Sequence, residues 1–193
     1  MTSQLRTVVL VVALLNLAYF GVEFAVALHI GSVSLLADSV DFLEDASVNI
    51  LIFFALAWAA STRARVGMVL AGILLVPALA FLWALWGKFT APMPPEPFAL
   101  SLTGAGALGV NLFCALLLAG MRKHSGSLTR AAFLSARNDA IANVAIIAAG
   151  LVTAYLWHSI WPDVIVGFAI AVMNIDAARE VWEAAREEHD AVA

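Results

Sequence analysis

The feature that most constrains this chain is a run of acidic side chains inside a segment that is otherwise apolar enough for lipid. Four carboxylates fall within eight residues: Asp38, Asp41, Glu44 and Asp45. On a helix, residues spaced by three or four share one face; those sharing a face here are Ser34, Asp38, Asp41, Asp45 and Asn49. Glu44 lies about 100° from Asp45 and is predicted to face elsewhere. An acidic side chain at membrane depth costs about 2.5–3.5 kcal/mol and usually lines an ion path or a water cavity. The stripe therefore predicts a path for ions.

The composition excludes a soluble globular domain. Of 193 residues, 63% are hydrophobic and only 12% are charged, with a mean hydropathy of +0.96. This balance is typical of an integral membrane protein. The long apolar segments account for nearly the whole length, so residues 1–193 are predicted to form one transmembrane domain, with no second, C-terminal cytoplasmic domain. The single cysteine, Cys114, cannot form an internal disulfide.

Segments of about 20 apolar residues predict an all-α bundle of six transmembrane helices. The predicted spans are about 5–28, 34–60, 66–86, 98–120, 130–157 and 163–185. Four prolines between Lys88 and Pro97 exclude helix from that loop. Asp163, next to Pro162, is expected to be a helix N-cap.

Basic residues give the orientation. Only Lys88 lies at the ends that face one side, whereas eight basic residues lie at the ends that face the other: Arg6, Arg63, Arg65, Arg122, Lys123, Arg130, Arg179 and Arg186. The positive-inside rule then predicts that both termini are cytoplasmic. Tryptophans at the opposite ends are expected to anchor the outer interface, namely Trp83, Trp86, Trp157 and Trp161. Glycines of the fourth helix are expected to allow close helix packing: Gly104, Gly106 and Gly109.

The fifth predicted helix carries a second buried polar set that resembles the first. The sequences Asp45-Ala-Ser-Val-Asn49 and Asp139-Ala-Ile-Ala-Asn143 share a D-A-x-x-N pattern, and a polar residue precedes each aspartate by four positions, Asp41 or Ser135. The two helices would cross the membrane in opposite senses at similar depths. That arrangement predicts an inverted repeat of two three-helix halves with a site near the midplane.

The spacing of these residues suggests cation chemistry. Side chains at i and i+4 lie about 5–6 Å apart, so Asp41 and Asp45 can close on one small cation. Asp139, with Ser135 or Asn143, would complete a four-oxygen site. Three carboxylates in a medium of low dielectric repel one another when empty, so they should bind either a divalent cation or protons. That competition is a physical basis for exchange of metal against protons.

With these features the chain resembles the cation diffusion facilitator family of divalent-metal/proton antiporters. The stretch Leu35-Leu-Ala-Asp38-Ser-Val-Asp41-Phe-Leu-Glu-Asp45 is similar to the family's second-helix signature, and the resemblance covers essentially the whole chain. By position, the resemblance implies the metal ligands Asp41, Asp45, Ser135 and Asp139. Asp38, Asn49 and Asn143 are expected to line the path or to orient the carboxylates.

The chain departs from the family pattern in several ways. Ser135 stands where the family usually has His or Asp, His124 is alone in a link that is often histidine-rich, and the link after the second helix has arginines and no ligands. The cytoplasmic metal-binding domain that usually follows the sixth helix is expected to be absent. A homodimer would then form through membrane helices. Arg137 points away from Asp139 and is expected to pair with Glu44 or Glu23, or to reach toward the cytoplasm.

The resulting expectation is a secondary transporter that exports a divalent transition metal such as zinc, manganese, iron or cobalt, with protons as the counter-ion and no other cofactor. Oxygen-only ligands suit manganese, iron or magnesium, although zinc also accepts carboxylates. The alternative is a non-transporting metal sensor or partner subunit. An intramembrane aspartyl protease is not supported, since no aspartate follows a Gly-x-Gly element, so no enzyme is expected. The expected setting is a bacterial inner membrane, with lipid and metal ions but no nucleic acid as partners.

Overall fold

The computed structural model describes residues 3–54, 62, 69, 79–121 and 127–173, and its described side chains exclude those of residues 120–137. Regular structure in these residues is α-helical. The helices are α1 (Ser3–Ile30), α2 (Val33–Phe54), α3 (79–90), α4 (Pro97–Met121), α5 (Ser127–Tyr155) and α6 (Trp161–Met173).

The observed bounds agree with the predicted ones to within a few residues wherever both are described. The clearest difference is the end of α3, which was predicted at Trp86 but extends through Lys88 to residue 90. Its last turn is closed by the N–H of Ala91, which donates to the carbonyl of Gly87 at 2.8 Å. A proline disfavours helix at its own position and at the residue before it. The helix can therefore continue until just before Pro92. The cytoplasmic ends predicted for the second, third and sixth helices lie outside the described residues.

A glycine turn joins α1 to α2. Gly31 has φ = 65°, a left-handed conformation that a residue without Cβ adopts freely. The N–H of Ser32 donates to the carbonyl of Ala27 at 2.9 Å, the long bond of a Schellman C-cap. The helices then run antiparallel. At mid-height the rings of Tyr19 and Phe42 lie 5.1 Å apart.

The start of α4 is fixed by its own sequence. Glu96 precedes Pro97, the first helical residue, where the missing proline N–H costs nothing. The Glu96 carboxylate accepts hydrogen bonds from the N–H groups of Phe98 at 3.0 Å and Ala99 at 2.5 Å. An acid at this position also suits the helix dipole.

Glycines bring α4 close to its neighbours, as predicted for two of the three. A Cβ on Gly104 would lie 3.0 Å from the Ile146 side chain of α5, and one on Gly106 would overlap the hydroxyl of Tyr19 from α1. At Gly109 an added Cβ would meet no atom of the described residues within 4 Å, so close packing there stays a prediction. The α4–α5 contact is reinforced by Gly150, which lies against Ser101. Glycines therefore allow the close approach of α4 to both α1 and α5.

Hydrophobic and polar side chains are distributed as lipid would require. Three helices are long and apolar enough to cross a membrane: Gln4–Ile30, Pro97–Ala119 and Asn138–Tyr155. Large apolar side chains such as Leu116 and Phe98 are exposed, while Asn16 and Asn111 are buried. Helix α2 is not among these apolar helices because it carries four acidic residues. Most of that helix is buried. The four predicted tryptophan anchors are all exposed.

Gly167 of α6 provides a stability test. A Cβ there would lie 2.9 Å from the Ser34 nitrogen and 2.9 Å from the Val33 carbonyl carbon, and backbone cannot yield cheaply. Gly167→Ala should therefore lower the free energy of unfolding in detergent by about 1–3 kcal/mol. Gly109→Ala is the matched control, because it makes the same change at an uncrowded helix position and should be neutral or stabilising by up to about 1 kcal/mol. Equal stability of the two variants would contradict the close α2–α6 contact.

Candidate functional site

The predicted metal site lies where α2 and α5 pack against each other. The carboxyl group of Asp139 on α5 is within electrostatic range of three acids of α2: Asp45, Asp38 and Glu44. Glu44, predicted to face elsewhere, is therefore also near α5. Asp41 lies in electrostatic range of Glu23 on α1. The structure thus brings acidic residues of α1, α2 and α5 into one region of the bundle.

The full predicted ligand set is not tested by this geometry. Among the described side chains, His, Cys, Asp and Glu form no group of three or more with the spacing that a metal ion needs. Ser135, the predicted fourth ligand, and Arg137 have side chains outside the described part of α5. Asp41, Asp45, Asp139 and Ser135 as a ligand set therefore stay a prediction.

The two D-A-x-x-N motifs have the same local geometry. In α2 the amide of Asn49 donates to the carbonyl of Asp45 at 2.8 Å, and in α5 the amide of Asn143 donates to the carbonyl of Asp139 at 2.8 Å. Both asparagines are buried, and the Oδ1 atom of each lacks a hydrogen-bond donor among the described residues. Each asparagine thus presents a bare oxygen one helical turn beyond an aspartate.

A second acidic pair lies between α1 and α2. Glu23 and Asp38 are both fully buried, and their carboxyl groups are close enough to interact electrostatically. The sequence interpretation assigned Asp38 to the path but gave Glu23 no place in the site. The spacing of Asn16, Tyr19 and Glu23 by three and four residues, which puts them on one face of α1, is the signal that could have found it.

Tyr19 links this pair to α4. Its hydroxyl donates to the carbonyl of Thr103 at 2.6 Å and rests against Gly106. The same phenol is within electrostatic range of Glu23 and Asp38. Since α4 carries no charged residue, Tyr19 is the polar contact through which the acidic region meets that helix.

Asp163 holds the outer end of α2. Its Oδ1 accepts hydrogen bonds from the hydroxyl groups of Ser32 and Ser34, both at 2.7 Å, and from the Ser34 N–H at 3.0 Å. Its Oδ2 accepts one from the Val33 N–H at 2.8 Å. Asp163 is thus a capping residue, as predicted, but it caps α2 and not α6, the helix in which it lies. Sequence spacing could not show this, because the partners are 129–131 positions apart.

Lys88 is a buried cation at the same end of the bundle. Its Nζ donates to the carbonyl of Met93 at 2.5 Å and lies 4.0 Å from where a Cβ on Gly31 would stand. Burial lowers the pKa of Lys88 below its usual value, and the nearby Asp163 partly offsets that shift. The N-terminal end of α2 therefore lies between one anion, Asp163, and one buried cation, Lys88.

Apolar helices that expose their hydrophobic side chains and bury acids and amides define the class of protein. It is a helical integral membrane protein with a polar interior. The family model of the cation efflux transmembrane domain matches residues 9–187, so the chain belongs to the cation efflux family, which is the cation diffusion facilitator family that the sequence resembles. No curated protein matches the chain. Membership identifies a membrane transporter of metal cations rather than an enzyme.

Proposed function

We propose that this chain is a secondary transporter that exports a divalent transition-metal cation in exchange for protons. The observation that carries the proposal is the approach of Asp139 on α5 to Asp45 on α2. Two acids presented by different helices inside an apolar bundle are costly unless a cation or protons compensate them. In exchange of a metal cation for protons, the charge of these acids is balanced first by the metal and then by protons.

The proposed ligands are Asp41, Asp45, Asp139 and Ser135. The bare Oδ1 atoms of Asn49 and Asn143 lie one turn from two of these aspartates and supply further oxygen close to the site. Asp38, in electrostatic range of Asp139, lines the path beside them. When a divalent cation binds, the carboxylates stay ionised, whereas protonation removes their charge and releases the metal.

The proposed topology has six transmembrane helices, an inverted repeat and cytoplasmic termini. The matched hydrogen bonds of Asn49 and Asn143 support the repeat, because each half then contributes the same motif at the same local geometry. Basic residues at one side of the predicted bundle support the orientation. We further propose residence in a bacterial inner membrane and, where the chain dimerises, an interface between membrane helices.

The test is transport by the purified chain in liposomes that hold a pH dye and a metal-sensitive dye. Zinc, manganese, iron(II), cobalt, cadmium and magnesium are added outside one at a time. We expect metal entry with opposite proton movement for at least one of them, and a preference for manganese or iron(II) because the proposed ligands are all oxygens. Tight metal binding with no flux for any ion would instead favour a sensor or partner subunit.

A further inference from the structure

The Glu23–Asp38 pair is the most unusual buried group of the molecule outside the proposed metal ligands. Both side chains have zero exposure, and none of their four carboxyl oxygens has a hydrogen-bond partner among the described residues. Buried polar atoms in native proteins almost always have partners, so four bare oxygens in one place indicate a ligand that belongs there. A carboxyl oxygen can be compensated by a donor, a cation or a proton.

The geometry favours a proton. Helices α1 and α2 pack against each other about the turn at Gly31, which puts Glu23 and Asp38 at similar levels, and their carboxyl groups interact electrostatically. Two ionised carboxylates close together in a buried site repel strongly unless one proton lies between them. The pair offers two carboxyl groups, whereas a divalent metal ion usually takes four or more ligands. One O–H shared between the two groups compensates both.

The charged and titratable neighbours of the pair are few. Tyr19 on α1 is in electrostatic range of both carboxyl groups, Asp41 on α2 is in range of Glu23, and Asp139 on α5 is in range of Asp38. Helix α4, packed against α1, carries no charged residue, and its one titratable group, the thiol of Cys114, is in electrostatic range of Asp45 rather than of the pair. In the described parts of α3 and α6, the charged groups are Lys88 and Asp163 at the outer end of α2. Among the described side chains, which do not include that of Arg137, no cation lies beside the pair to hold both groups ionised.

We propose that Glu23 and Asp38 share a proton and form a proton-binding site distinct from the metal ligands, which gives up its proton when metal binds between α2 and α5. The link is electrostatic: Asp38 interacts with Asp139, and Glu23 with Asp41. A divalent cation at those aspartates makes a negative charge at the pair less costly, so the shared proton leaves to water as the metal arrives. This step rests on the proposed exchange of metal for protons, whereas the shared proton itself does not.

Infrared spectroscopy tests the shared proton without any transport. In the purified wild-type chain near neutral pH and without metal, the carbonyl bands of protonated carboxylic acids should include one component that is lost in Glu23→Gln and in Asp38→Asn. Glu96→Gln is the matched control, because it makes the same acid-to-amide change at an exposed helix start and should keep that component. An infrared spectrum unchanged in both Glu23→Gln and Asp38→Asn would overturn the proposal. If one of the two variants does not fold, the other gives the same test.

Calorimetry with manganese or zinc in buffers of different ionisation enthalpy tests the coupling. We expect Glu23→Gln to bind metal within about threefold of wild type while releasing about one proton fewer per metal ion. Loss of metal binding in Glu23→Gln would overturn the proposal, because the pair would then be part of the metal site. If the wild-type chain binds metal but shows no flux in liposomes, the proposed transport function is wrong. The infrared measurement then still tests whether Glu23 and Asp38 share a proton.

Discussion

Asp45→Ala is expected to abolish metal-driven proton movement in liposomes and to weaken metal binding by about 100-fold or more. Asp45 is the α2 acid that Asp139 of α5 approaches, so its loss leaves the proposed site with carboxylates that cannot close on a cation from both helices. Changes in residues that only orient metal ligands already cost about 10–100-fold in affinity, and a ligand should cost at least as much. The measurements are pH-dye flux and binding calorimetry on the same preparation.

The control for Asp45→Ala is Ile141→Ala. Ile141 lies two residues from Asp139 on α5, but its side chain is 63% exposed and faces away from the bundle. It removes apolar bulk without touching the acidic region and should leave flux and affinity unchanged. If Asp45→Ala transports and binds metal like this control, the carboxylate site between α2 and α5 is wrong.

Asp163→Ala is expected to lower the free energy of unfolding in detergent by about 3–5 kcal/mol, the range for breaking a buried charged contact. The change removes the acceptor of four hydrogen bonds at once, two from serine hydroxyls and two from the first N–H groups of α2. Donors left bare in a buried site each cost about 1–3 kcal/mol. Asp163→Asn keeps one acceptor oxygen and should lose less.

Ser159→Ala is the comparison for Asp163→Ala. Ser159 accepts a single long hydrogen bond of 3.4 Å from the N–H of Trp161 at an exposed helix start. Its removal should change the unfolding free energy by about 1 kcal/mol or less. Asp163→Ala with a stability as close to wild type as that of Ser159→Ala would mean that the α2 cap contributes nothing.

The part of this fold that follows from sequence is the part governed by local rules. The lengths of the apolar segments predicted the helices. Gly31 ends α1 because glycine readily adopts the left-handed conformation seen there. Contacts between distant segments did not follow. Helical periodicity shows that Asp163 stands near a helix start, but it cannot show that the carboxylate caps a helix 130 residues earlier.

The candidate site divides in the same way. The polar face of α2 was readable because four acids recur at helical spacing, and its approach to Asp139 was expected from the repeated D-A-x-x-N pattern. Glu23 was overlooked because its spacing with Asn16 and Tyr19 marks a polar face of α1 but does not show which residues that face meets. Its importance arises only from the neighbour that α1 meets in three dimensions, Asp38.

The cap that Asp163 places on α2 also sets an order of events during synthesis. Val33 and Ser34 leave the ribosome long before Asp163, so the first turn of the acidic helix has no carboxylate for its N–H groups until α6 is made. During that interval α2 carries four acids and an open helix end within the membrane. Helix α2 therefore reaches its final packing late in biogenesis. Chains that stop before residue 163 should be degraded by membrane proteases faster than chains that include it.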